Sequence, residues 1–262
     1  MMTILDFQKK KAAGEKIAMV TCYDYTSAVI VNRSTVDCLL VGDSLAMTMH
    51  GLPDTIEASL EMMALHTRAV RRGAKDKFTV ADLPFLSYRK SLGENVAAAQ
   101  VIMQAGAHAV KLEGAAGNAD FVRHLVDSGV PVMGHLGLTP QFIHSLGGFR
   151  VQGKTDDGAQ RLMADAAALQ EAGCFSLVLE CVPAALGKAV SQSLAIPTIG
   201  IGAGSGTDGQ VLVLQDLLGL NTEFKPKFVK QFLNGAELFV NAFDAYTKAV
   251  KSGEFPADAH SY

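Results

Sequence analysis

Short apolar runs alternate with longer amphipathic segments along almost the whole chain. The runs are continuously apolar rather than alternating in polarity, which is typical of strands buried on both faces of a parallel sheet. They predict eight strands, at residues 16–21, 37–42, 78–82, 107–113, 130–135, 174–180, 196–200 and 210–214. The amphipathic segments predict helices at residues 56–72, 95–105, 119–128, 157–172, 183–194 and 227–251.

The regular alternation of strands and helices indicates the fold class. Eight βα units in about 250 residues favour an α/β fold of the (β/α)8 or TIM-barrel type over an open doubly wound sheet. We expect residues 1–262 to form a single domain, in which an opening helix at Ile4–Ala13 covers the bottom of the barrel. The seventh unit is the weakest, because the glycine-rich residues 200–209 leave little room for a helix.

Composition narrows the range of partners. Lys and Arg number 23 against 26 Asp and Glu, so the net charge is −3 and the chain lacks the clustered positive charge that favours binding to nucleic acid or an acidic membrane. The four cysteines form no C-x-x-C pair and no zinc-like spacing, so we expect reduced thiols. The sequence has neither an apolar stretch of the roughly 18–20 residues that a membrane span needs nor a signal-peptide pattern. These features predict a cytoplasmic protein.

Polar and charged residues follow nearly every predicted strand. In a TIM barrel the carboxyl ends of the strands meet at one rim, where catalytic groups cluster. A single Asp after a strand is most often a helix N-cap, and Asp24 fits that interpretation. A gathering of several carboxylates, a lysine and a histidine is harder to explain structurally, because unpaired like charges repel each other. We expect Asp82 to be an exposed ligand at this rim. The residues predicted to meet there are Asp43, Ser44, Asp82, Lys111, Glu113, His135 and Glu180.

A magnesium site would relieve that repulsion. Asp43, Asp82 and Glu113 offer hard oxygen ligands without accompanying cysteine, which suits Mg²⁺ or Mn²⁺ better than Zn²⁺. Mg²⁺ commonly keeps waters and leaves positions for substrate oxygens, so a 2-oxo acid could chelate it through its carboxylate and its ketone. The ion would then stabilise an enolate formed by loss of a proton from the adjacent carbon.

The remaining rim groups fit the same chemistry. Lys111 could hold the substrate carboxylate or the developing oxyanion. Glu180 ends an otherwise apolar strand, and a partly buried carboxylate is a good candidate for a general base. For His135 two interpretations stay open: it positions a hydroxyl or relays a proton, or it is a hydrogen-bonded structural histidine.

Two glycine-rich segments imitate nucleotide-binding motifs. Residues 148–155, GFRVQGKT, match the P-loop pattern, but a P-loop follows directly on a buried strand, and the preceding residues do not resemble one. We therefore interpret the match as an irregular barrel loop. Residues 200–206, GIGAGSG, resemble a dinucleotide-binding fingerprint but carry Ser205 at the sixth position, where Gly or Ala is required.

Eight segments form an ordered set of motifs that spans essentially the full chain and includes the P-loop look-alike. They are TCYDYTSA (21–28), VGDSLAM (41–47), DLPFLSY (82–88), AVKLEGA (109–115), GHLGLTPQ (134–141), GGFRVQGKT (147–155), LVLECVP (177–183) and IPTIGIGAGSGTDGQVLV (196–213). Taken together, these segments resemble the ketopantoate hydroxymethyltransferase family.

The resemblance implies a TIM-barrel enzyme of pantothenate biosynthesis. The family transfers a one-carbon unit from 5,10-methylenetetrahydrofolate to 3-methyl-2-oxobutanoate, giving 2-dehydropantoate and tetrahydrofolate. It typically forms cytoplasmic homodecamers with one Mg²⁺ in each subunit. By motif match, the implied sites are Asp43, Asp82 and Glu113 for magnesium, Asp43, Ser44, Asp82 and Lys111 for the oxo acid, and Glu180 as the proton acceptor.

Three other functions remain open from the sequence. A Mg²⁺-dependent lyase or mutase of the phosphoenolpyruvate mutase and isocitrate lyase type would also act on 2-oxo acids. Such enzymes often depend on a reactive cysteine in a flexible loop, and no cysteine here occupies an obvious loop of that kind. A P-loop nucleotide-binding protein rests on residues 148–155 alone, and a non-catalytic scaffold is disfavoured by the full set of charged rim residues.

Overall fold

The structure, a computed structural model, describes residues 2–223 and 225–262. They form two compact units, one ending at Leu212 and the other comprising Val213–Tyr262. The first unit contains the strands β1 (Ile17–Thr21), β2 (Cys38–Val41), β3 (Phe78–Asp82), β4 (Ala109–Glu113), β5 (Val132–Gly137), β6 (Ser176–Glu180), β7 (Thr198–Ile201) and β8 (Gly209–Leu212). They pair in sequence order as parallel neighbours, and β8 pairs with β1 to close the sheet. The predicted α/β barrel is confirmed.

Most of the predicted helices are present with small shifts at their ends. The first unit has α1 (Ile4–Ala13), α2 (Tyr25–Asn32), α3 (Leu45–Thr48), α4 (Leu60–Gly73), α5 (Leu92–Gln104), α6 (Ala119–Asp127), α7 (Ile143–Leu146), α8 (Asp156–Glu171) and α9 (Ala184–Ser193). The second unit has α10 (Leu214–Leu217) and α11 (Gly235–Ser252). No helix separates β7 from β8 in the fully described stretch 202–208, so the weak seventh unit is confirmed.

Two helix starts differ from the prediction for local physical reasons. α4 begins at Leu60 because the side chain of Ser59 caps it, accepting a hydrogen bond from the N–H of Met62 at 3.1 Å. The helix predicted from residue 227 begins only at Gly235, as α11. Before that point the N–H of Phe232 donates to the carbonyl of Leu217 at 2.8 Å. This backbone hydrogen bond joins two distant residues and is not the i to i−4 bond of a helix.

An apolar cluster fills the end of the barrel where the strands begin. Phe7 of α1 is fully buried, and its ring centre lies 5.5 Å from that of Phe78 and 5.1 Å from that of Phe175. Ile17 and Cys38, the first residues of β1 and β2, belong to the same cluster. As predicted, α1 therefore covers the bottom of the barrel.

Residues 148–155 form the irregular loop predicted from their context. They follow the short helix α7 and not a strand, and residues 150–154 adopt no regular structure. Thr155 is the N-cap of α8, and its hydroxyl accepts a hydrogen bond from the N–H of Gly158 at 3.1 Å. The strand-to-helix turn that defines a phosphate-binding P-loop is therefore not what these residues form.

The second unit is built mainly from α11. Its buried residues include Gly235, whereas Phe239, Phe243, Tyr246 and Val250 are exposed and recur at the spacing of one helical stripe. Among the described residues, no helix has both the length and the apolar character to cross a membrane. The single-domain organisation of residues 1–262 stays a prediction.

Candidate active site

Six ionisable side chains converge where β2 to β6 end. The strand register brings most of them together: Asp82 lies opposite Lys111, Glu113 opposite His135, and Glu180 opposite Gly137. Asp43 follows β2 by two residues, and its N–H donates to Oδ2 of Asp82 at 3.0 Å. The structure thus gathers the six charged side chains that the sequence predicts at one end of the barrel.

This cluster is buried, so the expectation that Asp82 is an exposed rim ligand is wrong: its side chain is 3% exposed. Glu180 has a side chain that is 18% exposed, whereas the exposed fractions of the others lie between 1% and 4%. Burial of charge is tolerated when each charge finds a partner of opposite sign or a hydrogen bond. Glu180 is therefore the member that an incoming molecule reaches most easily.

Lys111 and two aspartates form one half of the cluster. Nζ of Lys111 lies 3.0 Å from Oδ1 of Asp82. Burial raises the pKa of Asp43 well above its usual range, and the charges of Asp82 and Glu113 raise it further. Burial also raises the pKa of Asp82, although Lys111 opposes that shift. Burial lowers the pKa of Lys111, but the surrounding carboxylates outweigh it and the net pKa is raised, so Lys111 keeps its charge.

His135 bridges the two glutamates of the other half. Its Nδ1 lies 3.1 Å from Oε1 of Glu113 and its Nε2 lies 3.2 Å from Oε2 of Glu180. Burial and the nearby Lys111 lower the pKa of His135, but the contacts with Glu113 and Glu180 outweigh them and raise it to about 9. At neutral pH the ring is therefore protonated, donates from Nδ1 to Glu113 and forms an ion pair with Glu180. This geometry accounts for a structural histidine, while a proton relay stays a prediction.

Two uncharged residues that the sequence analysis did not select hold the carboxylates in place. Nε2 of Gln141 donates to Oδ2 of Asp43 at 2.8 Å, and the backbone N–H of Gln141 donates to Oε2 of Glu113 at 3.0 Å. The hydroxyl of Tyr88 donates to Oε1 of Gln141 at 2.6 Å, which fixes the orientation of the amide. Both residues end motif segments quoted above, DLPFLSY and GHLGLTPQ, but neither is charged at neutral pH, so a search for charge passes over them.

Ser44 lies at the edge of the same cluster, where the chain turns from β2 into α3. Its Oγ is 2.8 Å from the hydroxyl of Tyr23. Gly42 makes the approach possible, because a Cβ at this position would lie 2.9 Å from Oγ of Ser44 and 3.6 Å from Oδ2 of Asp82. The absence of a side chain at Gly42 thus leaves room for the hydroxyl of Ser44, whose binding of substrate stays a prediction.

The backbone around Glu180 is held in an unusual conformation. Gly137 has φ of +91°, and a Cβ there would lie 2.2 Å from the carbonyl oxygen of Glu180. That carbonyl accepts a hydrogen bond from the N–H of Leu138 at 2.8 Å. Cys181, directly after Glu180, has φ of +47°, a region that residues other than glycine rarely adopt and that is found mostly at functional sites.

The donor set fits a hard divalent cation. Fully ionised, four carboxylates against one lysine and one histidine leave two negative charges in excess, which Mg²⁺ would neutralise. Mg²⁺ is usually held by one or two carboxylates together with waters, and Asp43 and Asp82 are adjacent. Both oxygens of Glu113 already accept hydrogen bonds, so it would reach the ion through water or after releasing a partner.

The complete set of three magnesium ligands nevertheless stays a prediction. In the described part of the chain, no three His, Cys, Asp or Glu side chains stand close enough to form a preformed metal cage. Asp82 and Asp43 instead contact Lys111 and Gln141, at 3.0 Å and 2.8 Å.

Comparison with known sequences identifies relatives over the whole chain. Residues 1–258 match the family model described as ketopantoate hydroxymethyltransferase. The chain is 58% identical over 262 residues to the 3-methyl-2-oxobutanoate hydroxymethyltransferase of Bdellovibrio bacteriovorus, and the match covers 100% of both chains.

Comparison with solved structures identifies a shared fold. Phosphonopyruvate hydrolase in complex with oxalate and Mg²⁺ matches with a TM-score of 0.64 at 10% identity, covering 99% of this chain and 93% of that one. The 2,3-dimethylmalate lyase of the PEP mutase/isocitrate lyase superfamily matches with a TM-score of 0.61 at 14% identity, covering 100% and 93%. At these identities the likeness concerns the fold alone.

Proposed function

Since the chain belongs to the ketopantoate hydroxymethyltransferase family, we propose that it transfers a hydroxymethyl group from 5,10-methylenetetrahydrofolate to 3-methyl-2-oxobutanoate. The folate supplies the methylene carbon and water supplies the hydroxyl, so the products are 2-dehydropantoate and tetrahydrofolate. The observation that carries the proposal is the buried charged cluster, with Glu180 as its accessible carboxylate.

The oxo acid would bind where Lys111 and Ser44 face the two aspartates. Lys111 keeps its positive charge because three carboxylates surround it, so it can hold the carboxylate of the oxo acid or the charge that develops on the ketone oxygen. The hydroxyl of Ser44, close to the hydroxyl of Tyr23, offers a second polar contact.

Glu180 would remove the proton from C3 of the oxo acid. Water releases the methylene of the folate as formaldehyde, which breaks both of its C–N bonds and leaves tetrahydrofolate. C3 of the oxo acid then attacks the formaldehyde carbon, and the formaldehyde oxygen takes up the proton that Glu180 removed from C3, so that it becomes the new hydroxyl. His135 is a positioning residue for this step, because its protonated ring holds Oε2 of Glu180 at 3.2 Å. A role for His135 in relaying that proton is part of the same proposal.

Asp43 and Asp82, with Glu113 behind them, would hold Mg²⁺. When bound, the ion supplies a Lewis acid that polarises the ketone of the oxo acid. The phosphonopyruvate hydrolase of the same fold is described in complex with Mg²⁺ and oxalate, which supports this choice of ion for a site made of carboxylates. Gln141 would help to hold Asp43 and Glu113, because it donates a hydrogen bond to each of them.

The cysteines offer no support for a lyase or mutase that depends on a reactive thiol. All four are free, and Cys181 is the only one that is not fully buried. Burial raises the pKa of Cys22, Cys174 and Cys181 to about 12, so these thiols stay protonated at neutral pH. Free thiols fit a reducing compartment, and we place the enzyme in the cytoplasm.

We also propose that the protein is a homo-oligomer, a homodecamer by family resemblance. The exposed stripe of Phe239, Phe243, Tyr246 and Val250 on α11 supports it, because monomers rarely expose contiguous large apolar residues. Light scattering should show an assembly for the parent chain and smaller species for Phe243→Glu. A parent chain that is monomeric would refute this assignment.

The proposed activity is tested by incubating the chain with 3-methyl-2-oxobutanoate and methylenetetrahydrofolate, with and without Mg²⁺. We expect 2-dehydropantoate only when both substrates and the metal are present. Turnover of a phosphonate or a dicarboxylic 2-oxo acid, with no product from the folate, would favour a lyase or mutase instead.

A further inference from the structure

Two histidines outside the charged cluster form a close pair. His50 follows α3 and His66 lies on α4, and their Nε2 atoms are 3.0 Å apart with the ring planes at 85°. His50 is exposed and His66 is half-buried. Neither has a role in the chemistry proposed above, although α3 is the helix that follows Ser44.

The tautomer of His66 is fixed by its other nitrogen. Nδ1 of His66 lies 2.5 Å from the backbone carbonyl oxygen of Tyr23. A carbonyl only accepts hydrogen bonds, so Nδ1 carries the hydrogen and Nε2 of the neutral ring presents a lone pair. Histidines that bind metals almost always have their second nitrogen held in this way by a carbonyl or carboxylate. Nε2 of His50 therefore donates to Nε2 of His66 in the pair as it stands.

The two nitrogens are close enough to bind one ion. With metal–nitrogen bonds of about 2.0–2.1 Å, two imidazole nitrogens on one ion lie about 2.9 Å apart at a right angle and about 3.3–3.4 Å apart at a tetrahedral angle. The observed 3.0 Å is the length of the hydrogen bond in the metal-free pair, so only a local movement of His50 is needed to bring both nitrogens onto one ion. The affinity of nitrogen ligands rises along the first transition row to Ni²⁺ and Cu²⁺, which favour tetragonal or square-planar coordination.

We propose that His50 and His66 form a binding site for a tetragonal divalent ion, Cu²⁺ or Ni²⁺, with water in the remaining positions. The ion replaces the shared hydrogen: the proton on Nε2 of His50 moves to Nδ1 of the same ring, so the neutral pair releases no net proton. The exposed ring of His50 rotates to aim its lone pair, while Tyr23 keeps His66 in place.

This site differs in chemistry from the proposed magnesium site. Imidazole nitrogen suits Cu²⁺ and Ni²⁺, whereas carboxylate oxygen suits Mg²⁺. The two sites are nevertheless linked through Tyr23, whose carbonyl contacts His66 and whose hydroxyl contacts Ser44. Binding at the histidine pair does not rest on the proposed reaction, so it can be measured without any assay of activity.

The test is calorimetric titration of the full chain with Ni²⁺ at neutral pH, in excess Mg²⁺ to occupy the carboxylates. We expect one Ni²⁺ per chain in the parent and at least about tenfold weaker binding in His50→Gln, the loss typical of disturbing a metal's ligand environment. His50 is exposed, so this variant should fold normally. His124→Gln, which removes an exposed histidine of α6, is the matched control and should bind like the parent.

A second measurement identifies the ligands directly. The electron paramagnetic resonance spectrum of bound Cu²⁺ should show hyperfine coupling to two nitrogens in the parent and to one fewer in His50→Gln. Equal Ni²⁺ affinity in the parent and His50→Gln, an equal loss in the His124→Gln control, or a Cu²⁺ spectrum unchanged by His50→Gln would each overturn the proposal.

Discussion

The two ends of the barrel place very different side chains on the same eight strands. Where the strands begin, the rings of Phe7, Phe78 and Phe175 pack edge to face in an apolar cluster. Where they end, buried carboxylates surround Lys111 and His135. Apolar burial stabilises a fold by roughly 25 cal/mol per Å², whereas a buried ion pair often contributes no more than a well-packed apolar replacement.

This difference separates stability from chemistry within one fold. Burial of the apolar cluster removes no charged group from water, so we expect its packing to contribute much of the free energy of unfolding. The charged end keeps Asp43 in surroundings where burial and neighbouring charges raise its pKa, an arrangement that stability alone would not select.

The largest effect is expected at the apolar end, for Phe7→Ala. Removing this fully buried ring should lower the free energy of unfolding by about 3–5 kcal/mol, as for other large core truncations. Denaturant unfolding measures it, and kcat/KM at low temperature should stay near the parent value. Leu5→Ala, on the same helix but 60% exposed, is the control and should change stability by less than about 0.5 kcal/mol. If Phe7→Ala is as stable as the parent, the apolar end does not provide the stability assigned to it.

At the charged end, Asp43→Asn should lower activity without lowering stability. It keeps an oxygen that can accept the hydrogen bond from Gln141 but removes a charge that Asp82 and Glu113 repel. We expect turnover to fall by about 10²–10³-fold, the usual loss of one electrostatic contributor, and metal-free stability to stay equal or rise. Thermal unfolding and the coupled assay measure the two effects, with Asp24→Asn at the cap of α2 as the control for activity. Normal turnover in Asp43→Asn would contradict the assignment.

Tyr88→Phe tests how far the charged end depends on its uncharged supports. The variant removes only the hydroxyl that orients Gln141, so Asp43 and Glu113 lose a fixed partner. We expect Mg²⁺ or Mn²⁺ to bind about tenfold more weakly, within the range for residues behind metal ligands. Mn²⁺ titration followed by electron paramagnetic resonance measures it. Tyr25→Phe, on the exposed surface of α2, should leave the affinity unchanged, and equal affinities in both variants would count against a role for Tyr88.

The smallest effect concerns a titratable group at the apolar end. His108 stacks on Phe78 and its Nδ1 accepts a hydrogen bond from the N–H of Thr79. Burial, and then the charge of Arg71, lower the pKa of His108 to about 4. The unfolded chain therefore binds more protons between about pH 6.5 and pH 4, so stability is full above this window and falls as the pH drops through it.

We expect His108 to account for about 1 kcal/mol of the stability lost between pH 7 and pH 5. His108→Gln should lack this part of the pH dependence in denaturant unfolding at the two pH values. If His108→Gln keeps the parental pH dependence, protonation of His108 is not the cause of the stability lost between pH 7 and pH 5.

The fold was predictable because local signals agreed with the global pattern. The bounds of α1 were predicted correctly as Ile4–Ala13, where Thr3 and Asp6 form a capping box and Gly14 ends the helix with φ of +71°. The start of α11 could not be predicted, because a tertiary hydrogen bond from Phe232 to Leu217 decides it.

The charged residues of the candidate site could be predicted from the sequence, whereas its uncharged residues could not. Residues at strand ends are brought together by barrel geometry, so the six ionisable members of the cluster followed from their positions. Their burial did not follow, because it depends on pairs such as Lys111 with Asp82 that form only in the folded chain. Gln141 and Tyr88 were missed because an amide and a phenol become informative only when their partners are known.

In the proposed reaction, Glu180 is the base that removes the proton from C3 of the oxo acid. The direct measurement is exchange of solvent deuterium into C3 of 3-methyl-2-oxobutanoate, followed by NMR with Mg²⁺ and without folate. Glu180→Gln keeps the size of the side chain and leaves Asp43, Asp82 and Lys111 in place, so the oxo acid should still bind. We expect exchange in the parent and a fall of about 10²–10⁴-fold in Glu180→Gln, with nearly unchanged affinity for the oxo acid. Exchange at the parental rate in Glu180→Gln would contradict this expectation and make His135 the next candidate.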